Sequence, residues 1–472
     1  VTGRATWAGL ITAGAVGVVL SAAVSSGRPI LASRWWLLEE LAVWALVWAA
    51  GALAAFHLPA RRAVPVVLAI GVALRIAALA GPPTTSDDLY RYAWDARVQA
   101  TGVDPYRYPP AAAQLVSLRD AWLWPGPQGC RDLHRAPGCT RINRPAQRTI
   151  YPPVAEAWFV GVRLVAGDGH RAKPWQLAGF VTELASLALL PVALRRYGKD
   201  PRWAAGYALS PVPVLEVVNN AHVDGLAVAF LLGAVVLAAP GTRWRDERWR
   251  DVCVGLLIGA AAMVKLYPAL LLVGARPKKR TIVPAAVLAV LSYAPHVVAV
   301  GAKVLGYLPG YLREEHYESG GRFLLASALH LPGAAVAAVA VAATAAWVVA
   351  ARPRLPAAGA ALLGVLLLTV SPVQPWYAVA LLALATVAGR PAWYAVAAAG
   401  YPYFFAVILA SPHATAIGQV SYGAAAVAVL TGRIMRLRRP APASPLAEAK
   451  RGSRPSCAPS PTASSSSTTA AG

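Results

Sequence analysis

Two adjacent carboxylates, Asp87 and Asp88, open a stretch, SDDLYRYAWDARVQATGVDPYRYPP (86–110), that directly follows an apolar run ending at Gly81. A carboxylate at a bilayer edge is costly to place and marks a functional site by default. One of the pair could be a helix N-cap, a position that favours Ser and Asp, but capping does not account for the second. Further on, His222 and Asp224 stand two residues apart in the turn NNAHVDG, and Lys265 sits mid-way along an apolar segment, just before Leu266, Tyr267 and Pro268. A carboxylate can take the proton of an acceptor hydroxyl. Lysine, arginine or histidine can neutralise a phosphate that leaves. Together these groups suit transfer from a lipid-linked phosphate whose apolar tail stays in the bilayer.

Adjacent helical residues point about 100° apart, so Asp87 and Asp88 cannot both face one hydroxyl. Asp87, nearer the membrane end, is the expected general base, with Asp88 close behind. Asp88 shares a face with Tyr92 and Asp95 and could instead partner Arg91. Lys265 is expected to hold the leaving phosphate, helped by His222; a snorkelling lysine is the bland account, but Lys265 is far from either end of its segment. Arg91, Tyr151, Asp224, Tyr267, Gln374 and Trp376 complete the expected donor-phosphate and substrate-binding set. In SPVQPWY (371–377), Trp376 and Tyr377 equally fit an interfacial aromatic belt. The turn at 219–225 fits a solvated Asn/Gly turn, a reading weakened by Glu216 one turn upstream in apolar surroundings. The 301–322 loop, with Arg313, Glu314, Glu315, His316 and Glu318, reads as a solvated face.

The chain has no Walker loop, dinucleotide fingerprint or HExxH, and its cysteine spacing is wrong for zinc. No cofactor is expected. Two adjacent carboxylates invite a divalent ion that Asp224 could join, yet a single donor phosphate can be neutralised by Lys265 with Arg or His222, so no metal is predicted.

These residues need a membrane scaffold to position them. The 472 residues are 57% hydrophobic and only 14% charged, which excludes a soluble globular or a disordered chain. The net charge of +23 comes from arginines clustered between apolar runs, the positive-inside pattern rather than a nucleic-acid surface. The fold class is therefore all-α, a polytopic helical membrane protein. Twelve crossings are predicted, at 6–24, 35–57, 63–81, 153–168, 203–218, 225–240, 281–300, 323–350, 355–371, 376–389, 391–410 and 414–432. The first, although it could pass for a signal peptide, is expected to be an uncleaved helix. Arg61 and Arg62 inside put both termini in the cytoplasm and the 82–152 loop outside, against the weaker vote of Arg28 and Arg34. Segments 174–194 and 251–275 are basic at both ends, so each is expected to bend back as a broken or re-entrant helix pair lining a cavity. Cys130 and Cys139 in the external loop can form a disulfide. Residues 1–439 form the membrane domain, and the Ser/Thr/Ala/Pro-rich 440–472 reads as a disordered cytoplasmic tail.

Five motifs in order, SDDLYRYAWDARVQATGVDPYRYPP, IYPPVAEAWF, NNAHVDGLAVAFLL, AAMVKLYPALLL and SPVQPWY, resemble the GT-C superfamily of polyprenol-phosphate-sugar glycosyltransferases. The chain looks most like the actinobacterial α-mannosyltransferases, over about Asp87 to Tyr377. The resemblance implies an inverting hexosyl, and specifically mannosyl, transfer from polyprenyl-phosphate-mannose to a cell-envelope glycan or glycolipid at the outer face of the plasma membrane. It places the base on Asp87 or Asp88 and implies metal-independent activity. Two features depart from the family pattern: the large loop follows the third span rather than the first, and the stretch bearing Cys130 and Cys139 looks inserted. The rival reading is a secondary transporter or lipid-linked sugar flippase, which would place its ionisable groups near the midplane and show internal repeats.

Overall fold

A computed structural model describes residues 2–167, 169, 171–242, 244 and 246–437, and everything it describes is helix, turn or loop, with no strand. Contacts divide the chain into two units, Val1–Val429 and Leu430–Gly472. The tail expected over 440–472 lies outside the described residues, as do His170, Arg243 and Arg245.

The chain begins with α1 (Thr2–Ser26), α2 (Trp35–Phe56) and α3 (Ala60–Ala77), then enters the long loop, which carries α4 (Asp88–Ala100). After it come α5 (Pro153–Ala166), α6 (Lys173–Arg196), a broken ascent over 201–219 and α7 (Asp224–Leu237). The rest is α8 (Glu247–Ala262), α9 (Lys278–Val300), the short α10 (Leu308–Glu314), α11 (Gly333–Ala351), α12 (Leu355–Val370), α13 (Ala378–Ala388), α14 (Tyr394–Ile408) and α15 (Ala414–Leu437).

Among the described residues, six helices are long and apolar enough to cross a membrane: α1, α2, α6, the run Lys278–Glu314, α11 and α15. The prediction of twelve is thus not matched by length and composition. Asp224–Leu237, Leu355–Val370 and Pro375–Ala388 are apolar but shorter. α9 turns Ile282, Val283, Val287, Val290, Leu291, Val297 and Val298 outward, the surface a helix offers to lipid.

One end of unit 1 gathers the basic turns. Arg202 donates to the carbonyls of Phe56 and Leu58, Arg196 to Val236, Arg354 to Tyr197 and Arg276 to Val349. The other end carries the 82–152 loop. There Lys173 donates to the Gly81 carbonyl, Asn219 accepts from Thr84, and Arg107 donates to the Ala299 carbonyl.

Two segments differ from expectation. Segment 174–194 does not bend back: α6 is one continuous helix of 24 residues, about 36 Å at 1.5 Å per residue, enough for a full crossing. Its Pro191 lies within the last turns, where little helix remains to break. Segment 153–168 does not cross. α5 has 14 residues, about 21 Å, and stays in the loop-end layer. Its Phe159 stacks on Tyr92 of α4 at 4.3 Å, and its Glu156 accepts from Gln99 and Thr149. The stretch 251–275 does bend: α8 runs to Ala262, the chain turns over 263–266, and a 3-10 segment, Tyr267–Val273, leads back. Its tip is docked, because the Met263 carbonyl accepts the backbone N–H of Val154 and of Ala155 at the start of α5.

Arg75 of α3 and Glu183 of α6 form a fully buried ion pair at 2.6 Å. Tyr207 donates to the other Glu183 oxygen, and Arg75 also donates to the carbonyls of Gly71 and Ala208. Intramembrane charges persist when paired and fully hydrogen-bonded in this way.

Candidate active site

α4 starts at the carboxylate pair. Ser86 Oγ accepts the Asp88 backbone N–H at 3.2 Å, while the Asp87 side chain makes no cap hydrogen bond. Both carboxylates take a hydrogen bond from one side-chain amide: Asn143 Nδ2 donates to Asp87 Oδ1 at 3.0 Å and to Asp88 Oδ1 at 2.6 Å. Their environments differ. Burial and the neighbouring Asp88 charge push Asp87 above the ordinary carboxylate range. Burial acts the same way on Asp88, but His222 behind it, the Lys265 ammonium and the Asn143 amide outweigh it, holding Asp88 well below that range.

Asp88 lines a polar cavity of about 80 Å³ together with Arg91, Arg144, Tyr151, Lys265 and Gln374. Asp87 does not line it. Arg91 is not partnered by Asp88, as one sequence expectation had it: its Nε faces both oxygens of Asp95, one turn on, at 2.9 Å. Four residues along a helix bring side chains together better than three here, and Asp88 is left free to face the cavity.

Against the polar cavity stands an apolar one of about 300 Å³, lined by Leu308 and Leu312 of α10, Leu366, Leu367 and Val370 of α12, and Tyr267. Ile150, Tyr151, Lys265, Tyr311 and Tyr377 line both. Lys265 therefore stands at the waist between an apolar and a polar compartment. Its Nζ is 5.4 Å from the Tyr151 ring centre and 5.1 Å from that of Tyr377, within cation–π range. Asp224 Oδ2, wholly buried, lies 3.3 Å from the ammonium, and Tyr267 donates to Asp224 Oδ1 at 3.2 Å. Lys265 is not snorkelling; the turn after α8 delivers it inward.

His222 is placed differently from expectation. It does not line the polar cavity but lies buried behind Asp88, its ring stacked on Trp376 at 3.9 Å and 21°. Trp376 and Tyr377 are accordingly site walls rather than an interfacial belt. Gln374 lines the polar cavity, donates to Glu315 at 2.8 Å and accepts from Tyr311.

Several residues here escaped the sequence reading. Glu315, read as part of a solvated face, is buried and pairs with Arg322 at 2.9 Å and with Arg144 at 3.5 Å. Arg144 also pairs with Glu314 at 2.6 Å. Tyr307 and Tyr311, one turn apart, line the polar cavity. The close approach of this loop requires Gly306, with φ +56°, where a Cβ would collide with the Thr149 carbonyl. The Tyr307/Tyr311 spacing was the only available signal, and it is weak. Nothing in the sequence singled out Asn143. Cys130 and Cys139 are joined in the structure, and Asn143 follows four residues later. The stretch that looked inserted thus delivers a residue to the carboxylate pair.

Residues 150–372 match the model of glycosyltransferase family 87. No curated protein and no solved structure matches the chain. The matched segment holds Tyr151, His222, Asp224, Lys265 and Tyr267; Asp87 and Asp88 precede it, and Gln374 and Trp376 follow it. A family match over the segment that supplies Lys265 and nearly all of the apolar cavity's wall, in a chain with apolar helices of membrane-spanning length, supports a membrane glycosyltransferase.

Proposed function

We propose that the protein transfers a hexosyl unit, with inversion, from a polyprenyl phosphate to a hydroxyl of a cell-envelope glycan or glycolipid at the external face of the plasma membrane. The sugar is mannose on the strength of the motif resemblance. The single observation that carries this reading is Lys265 on the shared wall of an apolar and a polar cavity. An amphiphilic donor fits that arrangement: its isoprenoid tail in the 300 Å³ cavity, its phosphate at the ammonium, its sugar toward Asp88.

Asp88, rather than Asp87, is the base in this scheme, because Asp88 faces the cavity and is held ionised. It removes the acceptor proton as the hydroxyl oxygen attacks the anomeric carbon. The C–O bond to phosphate breaks opposite, and the departing electron pair is stabilised by Lys265. Asp224 and Tyr267 hold Lys265 from behind, and the Tyr151 and Tyr377 rings flank it. A single base opposite the leaving group makes one displacement and hence inversion.

The test is transfer of labelled mannose from polyprenyl-phosphate-mannose by purified protein in lipid nanodiscs, alongside a donor-binding measurement. Lys265→Ala is expected to weaken donor binding and turnover together, and EDTA to leave turnover unchanged. Wild-type protein that transfers no sugar from such a donor overturns the reading. Loss of turnover in EDTA, restored by magnesium or manganese, would overturn its metal-free form.

A further inference from the structure

Behind Asp88 the fold sets one imidazole between two carboxylates. His222 Nδ1 lies 3.5 Å from Asp88 Oδ2, and Nε2 lies 3.6 Å from Glu216 Oε2. Both ring nitrogens are buried, and neither has a hydrogen-bond partner. Glu216 is wholly buried; Tyr401 donates to its Oε1 at 2.8 Å and Asn220 to its Oε2 at 3.1 Å. Trp376 stacks on the imidazole and fixes its plane. Because His222 is absent from the polar cavity's wall, it can act on a substrate there only through Asp88.

We infer that Asp88, His222 and Glu216 form a proton relay, in which His222 takes from Asp88 the proton of the acceptor hydroxyl and Glu216 holds the resulting imidazolium. This rests on Asp88 being the base. In the resting tautomer Nε2–H points to Glu216 and the Nδ1 lone pair to Asp88. The acceptor O–H bond breaks and its electron pair forms the new bond to the anomeric carbon. The bond from that carbon to the phosphate oxygen breaks, and its pair leaves with the phosphate. The proton passes to Asp88 Oδ2, then to His222 Nδ1, and returns to solvent as product leaves. Distances slightly beyond hydrogen-bond length are usual before substrate tightens such a site.

The arrangement answers two needs. With His222 Nδ1 3.5 Å behind Asp88, the proton has a second acceptor and the transfer completes as an Asp88–His222 ion pair. A carboxylate buried as deeply as Glu216, with only neutral donors beside it, is costly unless it meets a cation. The other titratable groups around the line are Asp87 just before α4, Tyr92 on α4, Tyr151, which donates to Asp88 Oδ2 at 3.2 Å, Asp224 on α7, Lys265 on the turn after α8, and Tyr401 on α14.

The experiment is the pH dependence of kcat and KM in the mannose-transfer assay for wild type, Glu216→Gln, His222→Gln and the double variant. Glu216→Gln is expected to lower kcat by about 10²-fold, the low end of what positioned proton transfer contributes, with donor KM unchanged. Its acid limb should move to lower pH, because an imidazole without its counter-ion is protonated less readily. The double variant should lose no more than His222→Gln alone, as members of one unit do. An unmoved acid limb, or losses that multiply, would overturn the relay while leaving Asp88 as base. If Glu216→Gln does not fold, Tyr401→Phe replaces it, and its effect on kcat should vanish in the His222→Gln background; an equal effect in both backgrounds overturns the relay. Wild type that transfers nothing overturns the base and the relay together.

Discussion

Asn143 holds both members of the Asp87–Asp88 pair with one amide, yet the two carboxyls go opposite ways. Asp87 is raised by burial and by its neighbour's charge; Asp88, equally subject to burial, is lowered by His222, Lys265 and Asn143. The sign matters for stability as well as chemistry. A carboxyl lowered by folding adds stability above its unfolded value and loses it as pH falls through the folded one. A raised carboxyl withdraws stability as pH climbs from its unfolded value through the folded one. At pH 7, Asp88→Asn is expected to melt below wild type and Asp87→Asn at or above it; on acidification toward pH 4 the Asp87 difference should shrink, while the Asp88 difference persists because Asp88 takes its proton only well below pH 4. Thermal melts of the purified variants check this. In the transfer assay Asp88→Asn should lose about 10²–10⁴-fold in kcat and Asp87→Asn much less; a dead Asp87→Asn beside an active Asp88→Asn would reverse the assignment. Asp88, Asp224 and Lys265 were legible in the sequence because a charge beside or inside an apolar run has no inexpensive alternative account. Asn143, Arg144 and Glu315 were not, since a polar loop residue is fully explained by water until the loop is seen to close over a cavity.

The helices were legible by composition and less so by path. Apolar content marked 153–168 and 174–194 alike, and flanking charge suggested that the first crosses and the second turns back. The structure decides otherwise: α6 is one continuous helix long enough to cross, whereas α5 packs on α4 and the chain after it is still at the loop end. The two differences offset each other, so the 219–224 turn still lies at the same end as the 82–152 loop, where Asn219 and Asn220 accept from Thr84. Within that loop the Cys130–Cys139 bridge precedes Asn143 and Arg144. Closing so short a loop is worth about 2–3 kcal/mol in the chain-entropy account. Replacing both cysteines with serine should therefore lower Tm, and it should also reduce kcat, because the released segment carries the amide that positions Asp88. Turnover and melting measured on the same preparation separate the two; a lower Tm with unchanged kcat would mean that Asn143 is held by its other neighbours.

At the scale of the molecule, chemistry and charge are segregated. The cavities and carboxylates occupy the end that carries the 82–152 loop, and the arginine-rich turns meet at the other. An external site requires the loop end to face outward. In a background with Cys253 and Cys457 replaced by serine, a membrane-impermeant maleimide applied to intact cells should label Gln114→Cys and spare Lys279→Cys. Equal labelling of both, or the reverse, would sink that orientation.

The apolar cavity has a further consequence for kinetics. Its wall includes Leu266 and Leu312, both of which are also exposed on the outside of the protein. A donor entering past such a rim arrives from the lipid phase, so the concentration the enzyme senses is moles of donor per mole of amphiphile, not moles per litre. Adding detergent or carrier lipid at fixed protein and donor should slow turnover in proportion to the dilution of the surface. Adding buffer, which dilutes the volume but not the surface, should leave the rate per enzyme unchanged. A rate that instead followed volume concentration would mean that donor enters from water.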